Sequence, residues 1–198
     1  VKRSFILLII AAVGLGFYAY FKNQSAGTAI EEIERVRGSI GQLLEEKEVR
    51  SGEVVFYMRQ NGQGAAIVNA DFIKKTFLGW KWSAGGGHTL PETAGAADQS
   101  KAQTLWSYQY MSALKGTLSS DSPFPLLFGT LNDIQITSVR VKDVKSGQDV
   151  KAEMISAKNG IKLWYAFVPW EQDREFELTG YSDSGEAKSV KRIAAKTK

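Results

Sequence analysis

Two places in this chain carry side chains that could do chemistry. His88 is the only histidine, and it directly follows Gly85-Gly86-Gly87. A glycine run can expose backbone N–H groups, and an imidazole beside it can act as a general base near neutral pH. No G-x-S-x-G serine elbow accompanies it, and the lipase oxyanion pattern places histidine before the glycines, the reverse of the order here. The plainer reading is a turn histidine. The second place is Trp170-Glu171-Gln172-Asp173 after Pro169, an aromatic with two carboxylates at an exposed corner. An indole can stack on a sugar face. Paired carboxylates can hydrolyse a glycoside when they stand about 5–9.5 Å apart across a cleft, a distance that two positions in one turn do not set.

Trp170, Glu171, Asp173 and His88 are therefore candidate ligand-binding residues, and no catalytic residue is assigned. A hydrolase using His88 or the Glu171/Asp173 pair stands as the enzymatic alternative. No cofactor or metal is expected. The chain has no cysteine, which excludes disulfides, a thiol nucleophile and thiolate zinc sites within it. Asp121, Asp133, Asp143 and Asp149 lack the D-x-D-x-D-G spacing of a calcium loop and read as turn and strand-end residues. Trp80, Trp82, Trp106 and Trp164 fall at strand spacing and read as core.

The element that places these residues is the first apolar run. Ser4 to Phe21 holds no charge and no proline, and Lys2, Arg3 and Lys22 bracket it. As a helix rising ~1.5 Å per residue it would reach roughly 27 Å, close to the hydrocarbon thickness of a bilayer. Tyr18, Tyr20 and Phe21 occupy the position of interfacial aromatics, with Lys22 snorkelling above them. Those bulky residues also stand where a signal peptidase would want small ones, which favours an uncleaved anchor over a secreted product of signal cleavage. Lys2 and Arg3 against Lys22 put the N-terminus in the cytoplasm and the body outside, a single-pass arrangement. Residues 1–22 are thus expected to be a signal anchor, 23–29 a spacer, 30–185 a β-rich extracytoplasmic domain and 186–198 a last strand with a basic tail.

The formal charge is +4, but 17 basic and 20 acidic residues lie between Asn23 and Gly185, so the body carries −3. With the basic excess at the two ends, a nucleic-acid partner is not expected. The basic tail could touch anionic headgroups or acidic wall polymers. The expected partners are the lipid bilayer and either a protein or a cell-wall polymer; the oligomeric state is left open.

Thr28-Ala29-Ile30-Glu31 has the spacing of a capping box, and Ile30, Ile33, Val36, Ile40, Leu43 and Leu44 follow at helical steps, predicting a short juxtamembrane amphipathic helix to about Leu44 or Lys47. From Glu53 the period changes to two. Asn61-Gly62 predicts a type I′ hairpin, Gln63–Phe72 its returning strand, and Phe77–Trp82 a further strand closed by the glycines. Trp106, Tyr108 and Tyr110 alternate on another strand, and a joint is expected near 119–125. Beyond it, strands Ile134–Asp143, Val150–Ser156, Ile161–Val168, Glu175–Ser182 and Glu186–Ile193 alternate with turns at Ser146-Gly147, Asn159-Gly160 and Asp183-Ser184-Gly185. The expected class is α+β, mainly antiparallel β, built as a sandwich or barrel-like domain.

Phe77-Leu78-Gly79-Trp80-Lys81-Trp82, Phe128-Gly129-Thr130-Leu131 leading to Ile136, and Leu163-Trp164-Tyr165 together resemble uncharacterised short proteins of Gram-positive spore-forming bacteria. The resemblance implies one hydrophobic N-terminal segment followed by a β-rich extracytoplasmic domain, and brings no activity with it. The function expected is a non-enzymatic interaction or sensory role at the cell surface, with binding of wall glycan or polyanion as the alternative.

Overall fold

A computed structural model describes residues 2–23, 25–90, 106–112, 122–156, 162–169 and 174–195. Among these residues, two helices precede twelve strands that form three four-stranded antiparallel sheets. The first sheet is β1 (Gln42–Val49), β2 (Gly52–Gln60), β3 (Ala66–Thr76) and β4 (Gly79–Thr89), in that spatial order. The second orders β5 (Gln109–Met111), β6 (Leu126–Leu131), β10 (Lys162–Phe167) and β9 (Glu153–Ser156). The third orders β12 (Ala187–Ala195), β11 (Arg174–Tyr181), β7 (Ser138–Asp143) and β8 (Asp149–Lys151).

The second sheet lies between the other two. Leu126, Phe128, Leu163 and Tyr165 pack on Val54, Phe56, Val68 and Phe72 of the first sheet. From the opposite face, Leu127, Leu131, Trp164 and Ala166 meet Val139, Val141, Phe176 and Leu178 of the third. That explains why β6 is buried along its whole length and reads as a continuous run rather than an alternation. The outer face of the first sheet takes α2 (Ala29–Arg37) through Ala29 and Ile33 against Val55, Tyr57 and Ile73. The layers are helix, sheet, sheet, sheet. Trp164 and Trp106 are core, as their spacing predicts, whereas Trp80 and Trp82 are only half-buried on β4.

Several boundaries differ from the sequence reading. The capping box is present, with Thr28 and Glu31 bonding reciprocally, but α2 stops at Arg37. Gly38 takes φ 83°, a left-handed stop, and the residues expected to continue the helix form β1 instead. The Asn61-Gly62 turn is not the two-residue type: 61–65 close the hairpin, Asn61 Oδ1 accepts from the N–H of Gln63 and Ala65, and Gly64 supplies the positive φ. Phe77 and Leu78 form a turn instead of a strand. Gly85-Gly86-Gly87 lie inside β4 rather than closing it, so His88 is a strand residue and not a turn residue. The expected strand at 150–156 breaks at buried Ala152, where the chain leaves the third sheet as β8 and enters the second as β9.

Helix α1 (Lys2–Asn23) leads into this body. Its described side chains, Ile6, Leu7 and those from 10 to 22, are all exposed. Among the described residues no helix is long and apolar enough to cross a membrane.

Candidate functional site

Strand β4 is the edge of the first sheet, and two hydrogen bonds from outside the ladder cover its start. Trp80 N–H donates to Ala26 O at 3.2 Å. Trp82 N–H donates at 2.9 Å to Oε1 of Glu32, a buried carboxylate on α2 that also binds Arg35 through two bonds of 2.7 and 2.8 Å. Arg35 holds the Glu32 carboxyl below its ordinary range against the opposing effect of burial. Ser83 is then an extra residue in the register, since Phe72 faces Ala84 while Ile73 faces Trp82. The bulge turns the rest of β4 toward β5.

The three glycines permit close approach on both faces of the turned strand. A Cβ on Gly85 would lie 1.4 Å from Asp71 Oδ1 and 2.6 Å from Arg37 Nη2. Behind it, fully buried Asp71 accepts from Arg37 at 2.9 Å and from the Tyr57 hydroxyl at 2.7 Å. Burial pushes the Asp71 carboxyl up, while Tyr57 and Arg37 pull it down; the net direction is upward. Arg37 also stacks over the Trp82 ring, 5.3 Å from its centroid. On the opposite face a Cβ on Gly86 would stand 2.8 Å from Gln109 Nε2.

Between β4 and β5 lies an open cavity of about 300 Å³, bounded by Trp82, Gly86, Gln109, Tyr110, Met111 and Phe124. No acidic or basic residue lines it among the described residues. Its polar groups are an amide and hydroxyls, and its apolar surface is aromatic and thioether, a combination suited to a neutral ligand.

One strand repeat further along both edges, His88 meets Ser107. Nε2 lies 2.7 Å from Ser107 Oγ, which is 2.6 Å from Thr130 Oγ1 and accepts from Thr130 N–H at 2.9 Å. A hydroxyl has one proton and two lone pairs. With one lone pair used by Thr130 N–H, the remaining proton and lone pair are divided between His88 and Thr130, and Ser107 Oγ is saturated. His88 Nδ1 is buried with no hydrogen-bond partner among the described residues, and the ring packs 5.5 Å from Phe128. Burial lowers the imidazole to about 4, so it is neutral at pH 7.

Of the sequence candidates, His88 alone falls at this seam. Trp170, Glu171 and Asp173 lie outside the described residues. On α1, Tyr18, Tyr20 and Phe21 are exposed, the Lys22 ammonium sits 5.8 Å from the Tyr18 ring centroid, and the side chains of Lys2 and Arg3 are outside the described set. Sequence reading missed Ser107, Thr130, Gln109 and Asp71. A signal existed for Asp71, a carboxylate inside the apolar strand Ile67–Ile73. Ser107 is joined to His88 by tertiary pairing and had no local signal.

No known protein-family model matches the chain, and no curated protein matches it.

Proposed function

We propose that this chain is a membrane-tethered, non-enzymatic binding domain facing the extracytoplasmic side, with the β4–β5 cavity as its ligand site. The cavity carries the reading. Its uncharged, aromatic and amide-bearing lining suits a neutral sugar or a neutral peptide segment of a wall polymer or protein partner. The tether is read from the sequence: Ser4 to Phe21 carries no charge and lies within the 22-residue helix α1, although the described residues of that helix do not by themselves make a membrane span. The orientation follows from Lys2 and Arg3 on one side of that run against Lys22 on the other.

The three methionines provide the test. Met111 lines the cavity, Met58 is buried between the first two sheets, and Met154 packs between the second and third. With ε-methyl-labelled methionine, titration with soluble muropeptides and neutral oligosaccharides is expected to move the Met111 resonance and leave the other two in place. Gly86→Leu, which fills the cavity, is expected to abolish that shift. Three unmoved resonances across both ligand panels would refute the site.

The 2.7 Å contact between His88 and Ser107 supports a second, hydrolytic reading. It is weaker, because Ser107 Oγ is fully engaged and no acid stands behind Nδ1 among the described residues.

A further inference from the structure

We infer that the β3–β4 turn is a second membrane contact, which lays the end of the first sheet against anionic lipid headgroups. The inference rests on the proposed role of α1 as the tether. The turn is pinned to the chain just past the end of that helix. The Ser25 hydroxyl sits between the carbonyls of Lys22, at 2.8 Å, and Leu78. Trp80 N–H reaches Ala26 O, and Gly79, at φ 137°, has no room for a Cβ against Ser25 and Ala26. The tip is therefore held, through Ser25, to Lys22 at the end of α1 that would emerge from the bilayer.

The side chains there suit that surface. Phe77 is 83% exposed at the tip, the largest exposure among the described large hydrophobic residues. Single exposed apolar residues are ordinary on soluble surfaces, so Phe77 alone would mean little. Around it are Lys74, Lys75 and Lys81, and Arg50 stands in the neighbouring β1–β2 turn, where Lys75 N–H donates to Ser51 O. Glu48 and Glu53 face each other in the β1–β2 ladder just above this end, with Glu46 two residues before Glu48. An aromatic tip flanked by cations is the composition that lies in an interface with anionic headgroups.

The other end of the same sheet supplies the control. β3 runs from Ala66 to Thr76, so the exposed β2–β3 turn holding Gln63 lies on the order of 35 Å from Phe77. The chain has no cysteine, so Phe77→Cys and Gln63→Cys can each carry one environment-sensitive fluorophore in the full-length protein. In vesicles of phosphatidylcholine with phosphatidylglycerol, the probe at 77 is expected to show blue-shifted emission. Lipids with a nitroxide at the headgroup–acyl boundary should quench it at least about twofold more than the probe at 63, the depth an interfacial apolar side chain reaches. Both effects should weaken when phosphatidylglycerol is omitted. A probe at 77 that behaves like the one at 63, on protein that resists alkaline carbonate extraction, would overturn the inference and leave the tether standing. Protein removed by carbonate while the probe at 77 is still quenched would overturn the tether and keep the turn as a peripheral contact.

Discussion

His88 is the residue whose surroundings most change what it can do. Hidden beside Phe128 and bonded to Ser107, it protonates at about 4 in the folded protein, against about 6.5 in an open chain. Between those values the unfolded chain binds the extra proton, so the folded state loses stability as pH falls through the window. Urea denaturation at pH 7 and pH 4.5 should therefore show a larger loss of unfolding free energy for the wild type than for His88→Gln, which keeps a polar group but does not titrate. Equal losses would mean that the imidazole is accessible to protons in the fold. Asp71 is a different case. Its neighbours Arg37 and Tyr57 hold it from two sides, and the space that would take a side chain at position 85 is filled by that carboxylate. The glycine run thus serves packing at Gly85 and leaves room for the cavity at Gly86.

At the scale of elements, α2 shows how a nine-residue helix, too short to persist alone, is kept in place. Its N-terminus is closed by Thr28 and Glu31, its apolar side by Ile33, and its flank by the Glu32 bond to β4. Thr28→Ala removes one cap bond and is expected to cost about 1 kcal/mol, read from chemical denaturation. A loss much below that would show that Glu32 and the apolar contacts hold α2 without the cap. Strand β1 shows a different solution for an exposed edge: Glu45, Glu46, Lys47 and Glu48 run through it, a charged composition that discourages pairing with another chain. Lys47 and Glu45 also reach across to Glu153 and Tyr165 of the second sheet, which ties the edge to the next layer.

For the molecule as a whole, the middle sheet is what both halves of the chain depend on. Phe128 faces Phe56 edge-on at 6.1 Å across the first interface, and Tyr165 stacks on Phe56 at 4.4 Å. Phe128→Ala is expected to lower stability by roughly 3–5 kcal/mol and to do so in a single cooperative transition, because the cavity it leaves lies between two sheets that share a core. Separate melting of two halves in calorimetry would contradict that shared core.

The sequence by itself determined the elements whose causes are local. The capping box at Thr28 and Glu31, the turns at Gly147 and Gly185, and the alternation that buries Phe176 and Leu178 all depend on neighbours within a few residues. It also determined the long charge-free run at the N-terminus. Tertiary structure decided where the period alone was ambiguous. Leu43 and Leu44 sit at helical spacing yet belong to β1, because pairing with β2 outweighs the amphipathic pattern once Gly38 has ended the helix. It decided that His88 lies inside a strand and meets Ser107, 19 positions away along the chain, which in turn bonds Thr130. The cavity at the β4–β5 seam has the same origin. It exists where two sheet edges meet over glycines, and no local rule of propensity or spacing records which edges will meet.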